Sequence, residues 1–360
     1  MSEYPVKALH RTPGRAAGSN PDNRFDMQHR EVVDDGWARD EDLPVLRTEV
    51  TEEMARKVIT RNTSPDLSFD RSINPYRGCE HGCIYCFARP SHAFLGLSPG
   101  LDFETKLIAR PNAAERLRKE LSNPRYRPAT LAIGTNTDPY QPIERDRGIM
   151  RAILEVLRDF NHPVAIVTKG TLIERDADIL GDMAAKNLVR VGISVTTLDN
   201  QVSRAMEPRV PLPAARLRTI RKLTDAGIPI RAMVSPVIPA LTDHEMEAIL
   251  TACSDAGAVA ASSIVLRLPL EVAPLFKDWL QEYFPDRAAR VMGRVRELHG
   301  GKDYDPEFGR RMVGQGEWAT IMQQRFKLIT RKLGLDRSLS PLRTDLFARP
   351  AQAGDQLSLF

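Results

Sequence analysis

The segment SINPYRGCEHGCIYCFARP (Ser72–Pro90) determines how the rest of this 360-residue chain is interpreted. It begins with a short apolar run, which predicts a buried strand, and continues into a loop that contains three cysteines. Their spacing is C-x3-C-x2-C, at Cys79, Cys83 and Cys86. Gly78, directly before the first cysteine, and Gly82, directly before the second, give the loop the backbone freedom to wrap around a bound group. Three thiols on one such loop indicate a metal centre.

The spacing of the thiols bears on which metal they bind. Three close cysteines can each bind one iron of a [4Fe–4S] cube, which leaves the fourth iron without a protein ligand. Cys253, the one other cysteine, lies in a helical pattern far along the chain. A zinc site completed by His81 is the alternative, although zinc ligands usually come from two separated pairs. A disulfide is not expected in the cytoplasm, where thiols stay reduced.

Strand-like and helix-like segments alternate after the cysteine loop. Six short apolar runs bounded by Gly, Pro or Asn are typical of buried parallel strands. They are Ser72–Tyr76, Thr130–Thr135, Val164–Thr168, Val189–Thr196, Ile230–Val234 and Ser263–Leu268. Helical patterns separate them, at Asn112–Leu121, Gly148–Phe160, Glu174–Ala185, Pro213–Ala226 and Asp243–Ala256. Right-handed crossovers would curl these units into an α/β fold, a partial (βα)6 TIM-type barrel, followed by a helical C-terminal extension.

We expect four parts along the chain. They are a polar, partly disordered N-terminal arm at 1–60, the barrel at 61–270, a helical basic extension at 271–345 and a flexible tail at 346–360. The composition, 42% hydrophobic and 27% charged, is that of an ordinary globular protein. Neither a membrane-spanning apolar run nor a secretory signal is evident, so we expect a cytoplasmic protein without a membrane partner.

The distribution of charge suggests a partner more than the net charge of +4 does. Residues Arg287–Arg343 contain 13 Lys and Arg against 6 Asp and Glu. A basic lobe of this kind could contact the phosphates of a nucleic acid. The alternative is a solvated helical face with no binding role.

The cysteine pattern, with Tyr85 directly before the last thiol, resembles the signature of the radical S-adenosylmethionine (SAM) enzymes. Four segments are similar to the branch of that family that includes spore photoproduct lyase and its uncharacterised, DNA-repair-photolyase-like bacterial relatives. They are RGCEHGCIYC (Arg77–Cys86), TNTDPYQPIE (Thr135–Glu144), IVTKG (Ile166–Gly170) and SPVIPALTDHE (Ser235–Glu245). The resemblance implies that a [4Fe–4S] cluster binds SAM at its open iron and that one electron, from a donor such as flavodoxin or ferredoxin, cleaves SAM to a 5′-deoxyadenosyl radical.

Ligands of barrel enzymes bind at the carboxyl ends of the strands, which here carry several polar side chains. By resemblance, Thr137 and Asp138, with Asn136 beside them, are placed at the methionyl amino group. Lys169 would approach the methionyl carboxylate and Ser194 the carboxylate or ribose, while Tyr85 would lie near the adenine. The alternative is that these are ordinary strand hydroxyls and a turn beginning at Asp138.

Two features bear on the substrate. Spore photoproduct lyase has a hydrogen-donating cysteine where this chain has Thr135. Cys253 does not replace it, because it is better explained as a small buried apolar residue. The resemblance therefore leaves the lyase reaction, the hydrogen donor and the substrate open. The ending QLSLF (Gln356–Phe360) resembles the pentapeptide that docks bacterial repair proteins on the replicative sliding clamp. The alternatives are that the tail folds back on its own barrel or that the match arises by chance. The leading hypothesis is a radical SAM enzyme acting on DNA. The alternatives are a radical SAM enzyme acting on RNA or a protein, and a non-catalytic zinc-dependent nucleic-acid-binding protein.

Overall fold

The computed structural model describes residues 14–26 and 46–350. The strands found there are β1 (Glu49–Glu52), β2 (Ile59–Arg61), β3 (Arg71–Ile73), β4 (Tyr76–Arg77), β5 (Lys106–Ala109), β6 (Leu131–Ile133), β7 (Val164–Thr168), β8 (Val189–Ser194), β9 (Ile230–Val237) and β10 (Ala260–Val265). The α-helices are α1 (Leu101–Thr105), α2 (Ala113–Leu121), α3 (Glu144–Arg147), α4 (Ile149–Asp159), α5 (Ala177–Ala185), α6 (Asn200–Met206), α7 (Pro213–Asp225), α8 (Met246–Asp255), α9 (Val272–Tyr283), α10 (Pro285–Leu298) and α11 (Gly316–Leu333). Short 3₁₀ helices lie at Arg89–Leu95, Thr171–Asp176 and Asp243–Glu245.

The main sheet has seven strands in the order β10-β9-β8-β7-β6-β3-β2. Six of its strands are parallel and follow chain order, namely β3, β6, β7, β8, β9 and β10. The seventh, β2, pairs antiparallel to β3 at one edge. Because helices connect successive parallel strands, this is the expected partial TIM-type barrel. The α/β fold class is therefore confirmed, with α9, α10 and α11 as the helical extension.

Alternation of side chains along the strands builds the core. In β8, Val189, Val191 and Ile193 are at most 1% exposed and pack with the helices in one apolar cluster, while Gly192 and Ser194 point to the opposite face. Burial of such side chains contributes roughly 1.5–3 kcal/mol each to stability. Because the strands are parallel, their carboxyl ends meet at one mouth of the barrel, where the site lies.

Several elements depart from the expected boundaries; β9, for example, ends at Val237 and not at Val234. The sixth strand is Ala260–Val265, three residues earlier than the segment Ser263–Leu268 that the pattern predicts. A second sheet, in the order β1-β5-β4, has no counterpart in the sequence prediction. Since β1 and the first two residues of β2 fall within residues 1–60, that segment contains more regular structure than an arm would, and the division into four parts stays a prediction. The described residues include no helix with both the length and the hydropathy of a membrane span.

Candidate active site

The cysteine loop lies between β4 and the 3₁₀ helix at Arg89–Leu95. Cys79 and Cys83 are buried and Cys86 is half-buried. Successive turns shape the loop, because the amide of Gly82 donates to the carbonyl of Cys79 (3.1 Å) and that of Cys86 to the carbonyl of Cys83 (3.2 Å). Gly82 has φ +64°, and a Cβ atom there would lie 2.6 Å from a carboxylate oxygen of Glu104. The loop therefore requires glycine at this position.

A buried arginine holds the inner side of the loop. Arg89 donates to the carbonyl oxygens of Gly82 and Cys83 (both 3.0 Å) and to the carboxylate of Glu104 (2.5 Å). The same guanidinium also donates to the carbonyls of Pro99 and Gly100. Because both charged groups are fully buried, the Arg89–Glu104 pair is fully desolvated and hydrogen-bonded. It fixes the backbone that carries the thiols.

The N-terminal segment 14–26 covers this buried pair. The carboxylate of Glu104 accepts hydrogen bonds from the backbone amides of Ala16 (3.1 Å) and Ala17 (3.0 Å). Arg15 donates to the carbonyl of Glu104 (2.8 Å), and Asn23 donates to the carbonyl of Ala93 (2.9 Å). The segment is thus an integral part of the site's support.

The carboxylate of Asp138 is tied into its own end of the barrel. One oxygen accepts from the Thr168 hydroxyl (2.6 Å) and the other from the Lys169 amide (2.8 Å), and His81 Nδ1 lies 3.3 Å away. Burial alone would raise the pKa of Asp138, but His81 and these hydrogen bonds outweigh it and lower the pKa to about 2. Asp138 therefore stays ionised and bridges the loops after β6 and β7.

The other residues expected to bind SAM divide into two groups. The Lys169 ammonium lies 5.8 Å from the ring centroid of Tyr85, so these two residues are brought to the cysteine loop. In contrast, the Thr137 hydroxyl donates to the carbonyl of Tyr76 (3.1 Å), and the backbone amide of Asn136 donates to the side-chain oxygen of Asn74 (3.2 Å). Ser194, also buried, accepts through its carbonyl from Arg216 (3.0 Å).

Glu207 is a site residue that the sequence pattern does not indicate. Its buried carboxylate accepts hydrogen bonds from the Tyr85 hydroxyl, from the Thr196 hydroxyl (3.0 Å) and from the Arg216 guanidinium (2.6 Å). Burial would raise the pKa of Glu207, but the charges of Arg216 and Lys169 and the hydrogen bonds from Tyr85 and Thr196 together outweigh it, and the pKa is lowered. The amide of Ile84 also donates to the carbonyl of Met206 (3.0 Å), so the loop is anchored on both sides.

The thiols suit a bound cluster. Burial raises the pKa of Cys79, Cys83 and Cys86, while the Lys169 charge opposes the rise at Cys83 and Cys86. A bound cation would supply the positive charge that stabilises the thiolates. Within residues 14–26 and 46–350, no three His, Cys, Asp or Glu side chains are grouped so that they could hold a single metal ion. A cube, in which each thiolate binds its own iron, fits this donor set better than zinc does.

Comparison with known proteins decides the family. Residues 73–253, half of the chain, match the Radical SAM superfamily. The chain belongs to the radical SAM superfamily. An uncharacterised protein of Mycobacterium bovis is 36% identical to the enzyme over 289 residues, 80% of this chain and 82% of the relative. A second uncharacterised relative, from Methanocaldococcus jannaschii, is 25% identical over 199 residues, 55% of this chain and 71% of the relative.

Solved structures agree on the fold of this radical SAM enzyme. A spore photoproduct lyase variant superposes with a TM-score of 0.57 at 15% identity, over 79% of each chain. Another variant, solved with bound SAM and dinucleoside spore photoproduct, gives 0.56 at the same identity and coverage. The enzyme's cofactors are the [4Fe–4S] cluster and SAM that the superfamily uses. A non-catalytic zinc protein is accordingly not supported, whereas the individual cofactor contacts stay predictions.

Proposed function

We propose that the enzyme holds its cluster on Cys79, Cys83 and Cys86 and produces a 5′-deoxyadenosyl radical that acts on damaged or modified DNA. One observation carries the proposal: three buried thiols lie on a loop fixed by the Arg89–Glu104 pair. Three thiolates leave the fourth iron of a cube free of protein ligands, and that iron can take SAM. When bound, the cluster supplies the electron that breaks the sulfur–C5′ bond of SAM.

The side chains around the loop would orient SAM and exclude water. Lys169 offers a cation to the methionyl carboxylate, and its charge already acts on Cys83 and Cys86. The Tyr85 ring, held by Glu207 through its hydroxyl, provides an apolar face for the adenine. Because Tyr85 is only 7% exposed, its side of the site is shielded from solvent.

Several features favour DNA as the substrate. The fold is that of spore photoproduct lyase, one structure of which contains a dinucleoside photoproduct. The extension after residue 271 carries many exposed arginines and lysines on α10 and α11. The motif Gln356–Phe360, which lies outside the described residues, would recruit the enzyme to the sliding clamp in the cytoplasm. Because Thr135 replaces the lyase's donor cysteine, the reaction on DNA would differ in its hydrogen-atom donor.

The test is SAM cleavage by the anaerobically reconstituted enzyme, reduced by a flavodoxin or ferredoxin system. We expect brown, iron-containing protein whose 5′-deoxyadenosine yield rises with irradiated or modified DNA more than with RNA or a protein fraction. Cys83→Ala should abolish both the cluster and cleavage, whereas Cys253→Ala, a matched cysteine removal in the core on α8, should retain them. Turnover by Cys83→Ala would contradict the cluster assignment, and stimulation by RNA or protein alone would contradict DNA.

Recruitment to the clamp is tested separately. The full chain should be retained by immobilised sliding clamp, and a chain lacking Gln356–Phe360 should not be. Retention that survives the deletion would remove this motif as evidence for a partner on DNA, without affecting the assignment of the cluster.

A further inference from the structure

Arg267 is a partly buried cation for which the described residues provide no acidic partner. It is the second residue after β10 and lies between Leu266 and Leu268, which are at most 1% exposed. Within residues 14–26 and 46–350, no carboxylate lies within ion-pair distance of its guanidinium. The nearby acid, Asp66, is occupied, because it accepts two hydrogen bonds of 2.7 Å from Arg311.

Arg267 is partly buried, and its nitrogens are not among the buried polar atoms that lack a partner, so its guanidinium can be reached from solvent. A guanidinium that is not paired with a carboxylate of the described residues can take a phosphate as a ligand. Burial lowers the pKa of Arg267, yet arginine stays protonated at any physiological pH. Comparison within the molecule makes the contrast clear, because the deeply buried Arg89 and Arg216 are each paired with a buried glutamate. Arg267 is therefore available to a ligand.

An exposed aromatic ring lies against the same guanidinium. The Arg267 guanidinium carbon is 4.2 Å from the ring centroid of Phe87, which directly follows Cys86 and is 45% exposed. Because Phe87 is the next residue after Cys86, the pair lies beside the cysteine loop. A cation that binds phosphate next to a ring that stacks on a base is the combination by which proteins hold single nucleic-acid strands.

Two further exposed aromatic groups flank this pair. Arg24 lies 4.8 Å from the ring of Phe25 and 5.2 Å from that of Phe94, which are 55% and 74% exposed. Its guanidinium donates to the carbonyl of Pro90 and pairs with Glu271, and so joins the chain segments that follow Phe87 and Arg267. Phe308 is 52% exposed, and its ring centroid lies 4.7 Å from the guanidinium carbon of Arg311. Exposed aromatic side chains close to a site are typical of a binding surface.

We infer that Phe87 and Arg267 form the subsite for the target nucleotide of a single DNA strand, with Arg267 on a phosphate and Phe87 against a base. This inference rests on the proposed action on DNA and extends it to named substrate contacts. Phe25, Phe94 and Phe308 would support the flanking nucleotides. The subsite would hold the nucleotide next to the cysteine loop, where the radical is generated.

The test uses the reconstituted holoenzyme and a short fluorescent single-stranded DNA, with affinity measured by anisotropy over a series of salt concentrations. Arg267→Met is expected to weaken binding roughly tenfold, as loss of a charged hydrogen bond does, and to reduce the salt slope by about 0.7, the value for one single-strand phosphate. Phe87→Leu should weaken binding with the salt slope unchanged, because it removes stacking alone. Arg158→Met, on the outer helix α4, is the matched control and should bind as the wild type does.

Each outcome is decisive. If the wild type binds DNA and Arg267→Met binds equally well with the same salt slope, the subsite is wrong while the proposed function stands. If Arg267→Met loses SAM affinity as much as DNA affinity, Arg267 serves the cofactor and the subsite is again wrong. If the wild type binds RNA but not DNA, or neither, the proposed function itself fails. Thermal melts of Arg267→Met and Phe87→Leu check that any loss does not come from unfolding, and Arg267→Lys, which keeps the charge, should retain most of the salt slope.

Discussion

The carboxylate of Glu104 lies 2.5 Å from the guanidinium of Arg89, and both side chains are fully buried beneath the cysteine loop. Arg89 in turn donates to the carbonyls of Gly82 and Cys83, so the charge pair is connected directly to the backbone that carries the thiols. Replacing one partner leaves the other charged and buried without compensation, which costs far more than the intact pair contributes. The stability of the loop should depend on this contact.

Glu104→Gln is expected to lower the free energy of unfolding by about 3–5 kcal/mol and to reduce the iron content, because Arg89 loses its counter-ion. Anaerobic urea denaturation and iron analysis measure the two effects. Glu115→Gln is the matched control on α2, where the side chain is 70% exposed, and it should change stability by less than about 0.5 kcal/mol. A wild-type urea midpoint for Glu104→Gln would show that the pair does not support the loop.

Gly82→Ala should prevent cluster assembly. The new Cβ would lie 2.6 Å from the Glu104 carboxylate, in addition to the left-handed φ of +64°. Gly96 separates these effects, because it has φ +69° but no atom within 4 Å of the position that a Cβ would take. Gly96→Ala should therefore cost only about 1–2 kcal/mol of backbone strain and keep its iron. Equal iron contents in the two variants, measured after reconstitution, would rule out the steric explanation.

Lys169→Met should weaken SAM binding about tenfold or more while the cluster still assembles, because a charged hydrogen bond to the methionyl carboxylate is lost. The dissociation constant for SAM and the iron content distinguish the two roles. Lys186→Met is the control, since that ammonium is exposed on the surface and contacts only Asn161 among the described residues. If Lys169→Met binds SAM normally, the position assigned to the carboxylate by family resemblance is wrong.

The barrel is predictable from sequence because its strands are buried apolar runs. Val164–Thr168 begins and ends where the pattern predicts. The last strand shifts because the small residues Ala260–Ser263 pair with β9, whereas the apolar Leu266 and Leu268 continue the pattern beyond the pairing. Strand β1 gives no such signal: Glu49–Glu52 is largely exposed, and it forms because β5 is available to pair with it.

The site is predictable only where its residues are close in sequence. The spacing of the three cysteines identifies the loop. Glu207, in contrast, accepts a hydrogen bond from the hydroxyl of Tyr85, which is 122 residues away in the sequence. No local pattern distinguishes a glutamate that will be buried against an arginine from one that will be solvated. The contacts of Asp138 are equally hidden from a local pattern. Its carboxylate accepts hydrogen bonds from the Thr168 hydroxyl and the Lys169 amide, and these contacts depend on how adjacent strands end.

His162 should make stability depend on pH at the end of the barrel remote from the cysteines. Its Nδ1–H donates to the carbonyl of Pro163 (3.0 Å), so Nε2 accepts from the hydroxyl of Tyr126 (2.8 Å) and the ring is neutral. Burial lowers the pKa of His162 from 6.5 to about 4. Between these values the unfolded chain binds a proton that the folded chain does not, and the folded state loses stability as pH falls.

The contribution of His162 should be fully present above pH 6.5 and should fall by about 3 kcal/mol as the pH drops to 4. His162→Gln keeps a neutral polar side chain but cannot titrate, so its unfolding free energy should vary less with pH over this interval. Urea denaturation of wild type and variant at matched pH values measures the difference, and cluster loss in acid affects both proteins alike. His244→Gln, on the exposed side of the 3₁₀ helix Asp243–Glu245, is the surface control. A parallel pH dependence for His162→Gln and wild type would mean that the folded chain admits the proton as readily as the unfolded one.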